Sequence, residues 1–166
     1  KRPNINPLYE IYILLRLVLI VSKVKPDIIH NIALKPIIQG SIVSRLLNLN
    51  AVVNAPVGLG YVFTSRSLKA KILKPILTFL LKIFLSSKNS KKNITKVIFE
   101  NSDDLNYFKK LNAVDSNNSY VIRGAGVEVD QTFLKYKRKN KIPKVVLISR
   151  MLKDKGIYEF FEAFQI

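Results

Sequence analysis

Short apolar segments alternate with helical segments along most of the chain, and this alternation limits the folds that the chain can adopt. Five segments have the length and composition of buried strands: residues 27–30, 51–54, 96–99, 120–123 and 144–148. Strands that are separated by helices form parallel βαβ units, because a parallel connection needs a long crossover. The sequence therefore predicts an α/β protein whose parallel sheet is covered by helices on both faces.

The helical segments have recognisable starts and one interruption. Apolar residues recur at helical spacing over 8–23, 37–47, 68–85, from 102 to about 112, and from about 155 onward. Ser102 is the predicted N-cap of the fourth helix, since Asp103 and Asp104 then lie in its first turn, where carboxylates meet the positive helix end. Pro75 lies inside the third segment and predicts either a kink or two shorter helices.

Residue counts exclude several kinds of site. The 166 residues contain no cysteine, which excludes disulfides and thiolate chemistry, and a single histidine, His30, which excludes a metal site of several histidines. The most apolar stretch, residues 11–21, contains Arg16 and is shorter than the roughly 20 residues that a membrane-spanning helix needs. Because the chain starts at Lys1 and ends inside a helical run at Ile166, we expect an internal fragment of a longer protein.

The positive charge is concentrated in one part of the chain. The formal net charge is +17, and no acidic residue occurs between Asp27 and Glu100. Such a segment attracts polyanions, although a lysine-rich composition on solvated surfaces explains it equally well. Lys71, Lys74 and Lys82 fall on one stripe of an otherwise apolar helix. This pattern is typical of a core helix with a solvated edge, or of an element that lies on an anionic membrane surface.

Two cations flank the junction between the last strand and the last helix. Arg150 follows the strand and Lys155 precedes the helix, at the edge of a parallel sheet where ligands bind. A guanidinium fork together with an ammonium suits a diphosphate, so both side chains are candidate phosphate ligands. On spacing alone, solvated loop cations are the favoured explanation.

Five segments, in the same order along the chain, resemble family 4 glycosyltransferases of the GT-B fold. They are residues 26–36 (PDIIHNIALKP), 54–63 (NAPVGLGYVF), 97–104 (VIFENSDD), 123–133 (RGAGVEVDQTF) and 149–160 (SRMLKDKGIYEF). The resemblance implies a Rossmann-like N-terminal domain on the acceptor side over residues 1–134, a basic linker over 135–143, and the truncated start of a donor-binding domain over 144–166. It also implies that the fragment alone is inactive.

The resemblance implies retaining transfer of a hexosyl or N-acetylhexosaminyl group from a nucleotide-diphosphate sugar, with no metal or other cofactor. The implied acceptor is a lipid-linked or surface glycan of the capsule or lipopolysaccharide kind, and the implied location is the cytoplasm, on the inner face of a bacterial membrane. Arg150 and Lys155 match the ligands of the donor diphosphate. Negative charge grows on the leaving group as the bond between sugar and phosphate breaks. Fixed cations beside the diphosphate therefore stabilise the transition state more than the ground state.

Other residues are candidates through the same resemblance. The loop with Gly58, Gly60 and Tyr61 borders the acceptor, or is a plain turn after a strand. Gly124 and Gly126 permit the chain to cross between domains. His30 is a candidate catalytic residue, but Ile32 stands where a second histidine often follows, so a hydrogen-bonded structural role is the alternative.

Two further functions compete with glycosyl transfer. A nucleic-acid-binding module would explain the charge, but the aromatic residues have helical core spacing and no nucleic-acid motif occurs. We therefore predict no nucleic-acid partner. A different nucleotide-binding enzyme on a Rossmann-like fold is disfavoured, because no G-x-G-x-x-G follows a strand.

Overall fold

A computed structural model of the chain describes residues 6–65, 67–86, 94–124, 142, 144–151 and 155–165. The chain divides into two compact units, Lys1–Ala125 and Gly126–Ile166. The predicted linker at 135–143 lies outside the described residues, except for residue 142, and the position of the predicted domain boundary stays a prediction.

The first unit is an α/β structure built on a parallel four-stranded sheet. Its elements are α1 (Pro7–Val24), β1 (Ile28–Ile32), α2 (Leu34–Leu46), β2 (Ala51–Ala55), α3 (Gly60–Thr64), α4 (Leu68–Leu85), β3 (Ile94–Phe99), α5 (Ser102–Lys110) and β4 (Ser119–Val121). The strands lie side by side in chain order, β1-β2-β3-β4, and all three neighbouring pairs are parallel. The predicted α/β class with a parallel sheet flanked by helices is confirmed.

The hydrophobic core lies between one face of the sheet and α2, α4 and α5. Val97 and Phe99 of β3 are fully buried there, and the ring of Phe99 lies 5.2 Å from that of Phe108 on α5. Ile37 of α2 and Leu81 of α4 complete the same cluster. Alternate residues of β2 and β3 are buried, as expected when one face of a strand packs on helices.

On the opposite face of the sheet, β1 is exposed, whereas β2 and most of β3 are half-buried among the described residues. Ile28, His30 and Ile32 of β1 project there and are exposed, whereas Asn31 on the other face is buried. The prediction that helices cover both faces is therefore wrong at β1 among the described residues, and it stays a prediction for the rest of the sheet. The physical reason is that α2, α4 and α5 all contribute to the one core, which contains Phe99 and Phe108.

Two local predictions about helices need correction. The N-cap of α5 is Asn101, not Ser102: the Asn101 side chain accepts a hydrogen bond of 2.7 Å from the Asp104 backbone N–H, and Ser102 is the first helical residue. The run around Pro75 forms one continuous helix, α4, so the alternative of two shorter helices is wrong, and the kink stays a prediction. Ser67 caps α4 by accepting from the Ala70 N–H, and Pro75 removes a single backbone donor from it.

The loop regions are shorter than predicted where they are described. The predicted glycine loop over 56–61 ends early, because α3 begins at Gly60. Residues 87–93, between α4 and β3, lie outside the described part of the chain.

The second unit contains one described helix, α6 (Ile157–Glu162). Residues 144–148, predicted as a strand, have no strand pairing and are exposed. A parallel strand is held by hydrogen bonds to a neighbour, and the described residues of this unit include no second strand. Across the described ranges of the chain, no helix is both long enough and apolar enough to span a bilayer.

Candidate functional site

The ends of β1 and β2 form the edge of the sheet where the acceptor-side residues were predicted. The Ala33 N–H, just beyond β1, donates a 2.9 Å hydrogen bond to the carbonyl of Ala55, the last residue of β2. The two strand ends are thereby held side by side, with the start of α2 after one and the glycine loop after the other. Carboxyl ends of parallel strands are where ligands bind in open α/β sheets.

The glycine loop follows β2 at this edge. Gly58 and Gly60 have φ angles of +71° and +68°, a backbone region that glycine adopts without strain. A Cβ on Gly60 would lie 3.2 Å from Cδ1 of Leu34, the first residue of α2, while one on Gly58 would meet nothing within 4 Å. Gly60 therefore lets the loop approach α2 closely, and Gly58 serves the turn itself. The side chain of Tyr61 lies outside the described part of the structure.

His30 lies on the exposed face of β1, two residues before the end of the strand. Its register partner is Val53 of β2. The side chain is solvent-accessible from the uncovered face of the sheet, so the structure does not bury it as a core histidine. Its catalytic role stays a prediction.

A buried asparagine pair next to His30 was missed by the sequence analysis. Asn31 of β1 and Asn54 of β2 are 5% and 0% exposed, and Nδ2 of Asn31 donates a 2.9 Å hydrogen bond to Oδ1 of Asn54. Burying two amides is costly unless they pair, so this bond fixes the register of the strands that lead to the site. The sequence feature that could have predicted this pair is the presence of one asparagine in each of two otherwise apolar strands.

Gly40 of α2 accommodates this pair. A Cβ at Gly40 would lie 1.8 Å from Oδ1 of Asn31, so only glycine permits α2 to pack at this distance. The glycine is therefore explained by close packing of the helix on β1.

The lysines of α4 differ in their surroundings. The three lysines of the predicted stripe, Lys71, Lys74 and Lys82, are exposed. Nζ of Lys74, however, lies 5.9 Å from the ring centroid of Phe63 and 6.0 Å from that of Tyr107. Lys74 is thus bound to aromatic faces of its own protein. The structure also exposes five apolar side chains along α4, and four of them recur at spacings of three or four residues: Leu68, Ile72, Ile76 and Phe79. We call these four residues the α4 apolar stripe.

Arg45 links α2 to the end of α4. Its guanidinium donates to the carbonyl of Ile83 and lies 4.8 Å from the ring centroid of Phe84. Burial lowers the pKa of Arg45 from its ordinary value, because the charged form loses hydration. These contacts join α2 to the end of α4.

The predicted phosphate ligands lie in the second unit. Arg150 and Lys155 are both exposed, and Lys155 precedes Gly156, which caps α6 with a φ of +72°. Residues 152–154 between them lie outside the described residues, so their convergence on one anion stays a prediction. Gly124 is exposed with open space around it, and Gly126 lies outside the described residues.

The parallel sheet, its connecting helices and the glycine loop at the strand ends define a Rossmann-like α/β domain. A family model described as glycosyl transferase 4-like matches residues 2–104, well over half of the chain. The chain therefore belongs to the glycosyl transferase 4-like family. Membership implies glycosyl transfer, with a nucleotide sugar as donor and a glycan as acceptor. No curated protein matches the chain.

Proposed function

We propose that this chain is the acceptor-side part of a retaining glycosyltransferase that extends a lipid-linked or surface glycan at a membrane, without a metal. The observation that carries the proposal is the family match over residues 2–104, which covers β1, α2, β2 and the glycine loop. Gly58 and Gly60 lie at the carboxyl edge of the sheet, a position that suits an acceptor.

Arg150 and Lys155 are the proposed ligands of the donor diphosphate. In the proposed reaction the bond between the sugar and the phosphate breaks, and negative charge grows on the departing nucleoside diphosphate. Two fixed cations stabilise that charge more in the transition state than in the ground state. Their solvent exposure supports this role, since a donor can reach both side chains.

The membrane part of the proposal rests on α4. The α4 apolar stripe faces solvent, and Lys71 and Lys82 lie on the same helix. An amphipathic helix of this kind lies in the plane of a bilayer, with apolar side chains inserted and lysines near the head groups. An acceptor that is carried on a lipid would be presented at the same surface.

The experiment is a transfer assay with the whole protein. Membrane lipids from the source cells are incubated with a panel of radiolabelled nucleotide sugars, and label that moves into the lipid extract is counted. We expect transfer from one donor, with retention of the anomeric configuration and no loss of rate in EDTA. Transfer to water-soluble glycans only would refute the lipid-linked acceptor. Absence of transfer from every donor would refute the enzymatic proposal.

A further inference from the structure

The residue that joins β1 to α2 has an unusual backbone conformation. Ala33, which precedes the first residue of α2, has a φ of +76° and a ψ of 157°. The residue before a helix normally has an extended backbone with a negative φ, and its side chain often caps the helix. A positive φ together with an extended ψ is adopted almost only by glycine, because a Cβ makes this conformation strained. Ala33 thus has a backbone that its own side chain opposes.

Helix ends explain the other residues of this kind but not Ala33. Lys25, Asn48 and Asn112 also have a positive φ, and each of them follows the end of a helix. A left-handed residue at that position commonly ends a helix. Among the described residues, Ala33 alone combines a positive φ and a side chain at the start of a helix.

Hydrogen bonds on both sides of Ala33 hold this conformation. Its N–H donates to the carbonyl of Ala55 at 2.9 Å, and its carbonyl accepts from the N–H of Ile37 at 3.0 Å. Rotation of the Ile32–Ala33 peptide plane by about 180° would bring φ into the extended region, where ψ already lies, and would remove the strain. The same rotation would turn the Ala33 N–H away from Ala55. The bond between Ala33 and Ala55 therefore opposes the strain directly.

Two contacts connect the strained residue to the glycine loop. Ala55, which accepts the bond from Ala33, is the last residue of β2 and directly precedes the loop. Leu34, which follows Ala33, lies against the loop, since a Cβ on Gly60 would be 3.2 Å from its Cδ1. A change of φ at Ala33 would therefore move Leu34 relative to the loop.

We propose that Ala33 is a positioning residue of glycosyl transfer: its strained backbone holds the glycine loop and the start of α2 in the arrangement that binds the acceptor. The inference rests on the proposed function, because it requires this edge of the sheet to bind the acceptor. Strained conformations persist only where the surrounding structure imposes them, and they concentrate at functional sites. Ala33 acts through the loop and needs no contact of its own with the acceptor.

The first test is the kinetics of sugar transfer by the whole protein, by Ala33→Gly and by Ala33→Val. Glycine adopts the observed φ without strain, whereas valine is strained there more than alanine is. Ala33→Val should raise the acceptor KM about fivefold or more and leave the donor KM unchanged. Ala33→Gly should have an acceptor KM no higher than that of the wild type and should unfold at a higher urea concentration, because the strain is gone.

Lys25→Val is the matched control. Lys25 has a φ of +51°, so valine is strained there as well, but this residue caps the end of α1 and lies before β1, away from the glycine loop. The control should lose stability and keep both KM values of the wild type. Equal increases of the acceptor KM in Lys25→Val and Ala33→Val would attribute the effect to general destabilisation and would overturn the proposal.

Hydrogen exchange of the whole protein, followed by mass spectrometry, provides a readout that does not depend on transfer. Peptides that cover residues 54–63 should exchange faster in Ala33→Val than in the wild type, and at the wild-type rate in Lys25→Val. Unchanged exchange of these peptides in Ala33→Val would show that Ala33 does not hold the loop. A lower urea midpoint in Ala33→Gly than in the wild type would overturn the proposal even if Ala33→Val does not fold.

The two readouts separate this inference from the proposed function. Sugar transfer with the same acceptor KM in the wild type, Ala33→Gly and Ala33→Val would refute the positioning role alone. Absence of transfer by the wild type, together with faster exchange of the loop in Ala33→Val, would refute the enzymatic function alone.

Discussion

Gly40→Ala should destabilise the first unit, although alanine is the better helix former. The added Cβ would lie 1.8, 2.5 and 2.8 Å from Oδ1, Cγ and Nδ2 of Asn31, so the whole carboxamide must move or α2 must retreat from β1. Either movement strains the 2.9 Å hydrogen bond that the Asn31 side chain donates to the fully buried side chain of Asn54. The substitution thus disturbs the strand pair that leads to the proposed acceptor edge.

The expected magnitude combines three effects. Overpacking a core position costs about 1–3 kcal/mol. Leaving buried amide groups without a partner costs about 1–3 kcal/mol more. Replacing a helical glycine by alanine stabilises the helix by about 1 kcal/mol, which offsets part of this loss. The free energy of unfolding should therefore fall by about 3 kcal/mol, as the net of these terms.

The assay is equilibrium unfolding in urea, followed by far-UV circular dichroism. Gly124→Ala is the control, because no atom lies within 4 Å of the added Cβ, and it should change the unfolding free energy by less than about 0.5 kcal/mol. In an Asn31→Ala background the cost of Gly40→Ala should shrink, since the clashing carboxamide is gone. A Gly40→Ala chain at least as stable as the wild type would show that helix propensity decides this position, and would refute the packing argument.

Two further predictions concern the caps and lysines of individual helices. Asn101→Ala should lower the unfolding free energy by about 1 kcal/mol through loss of the α5 cap, whereas Ser102→Ala should leave it unchanged. Urea titration of both variants measures this, and a larger loss of stability in Ser102→Ala than in Asn101→Ala would identify Ser102 as the cap. Lys71→Gln should weaken binding to phosphatidylglycerol vesicles about fivefold in co-sedimentation, as expected for about 1 kcal/mol per lysine. Lys74→Gln should weaken vesicle binding less than Lys71→Gln does, but it should lower the unfolding free energy by about 0.5–1 kcal/mol, because its ammonium contacts Phe63 and Tyr107. Equal losses of vesicle affinity in Lys71→Gln and Lys74→Gln would contradict this difference.

The sheet was predictable because its signal is local. Each strand of the first unit is a short apolar run between turn residues, and the observed β1–β4 overlap the predicted segments. Parallel pairing followed from the helical segments between the strands. Residues 144–148 carry the same local signal but have no strand beside them in the described part of their unit, so the signal alone does not make a strand.

Features that depend on contacts between distant residues were not predictable. The Asn31–Asn54 bond joins residues 23 positions apart and requires the register of two strands. Helical periodicity identified the apolar residues of α1 and α4, but not that Leu14 lines a groove while Leu15 faces solvent. The cap of α5 was misplaced by one residue, because Asn101 and Ser102 are both good N-caps and the extended backbone of Asn101 decides between them.

The proposed donor site depends on two cations that bind one diphosphate, and titration of UDP and GDP into the whole protein measures this. A charge-assisted hydrogen bond contributes about 1.5–3 kcal/mol, so Arg150→Ala and Lys155→Ala should each lower the affinity for the preferred nucleotide about tenfold or more. Lys144→Ala removes an exposed cation of the same unit and should bind as the wild type does. Unchanged affinity in both Arg150→Ala and Lys155→Ala would contradict the assignment of the donor phosphates.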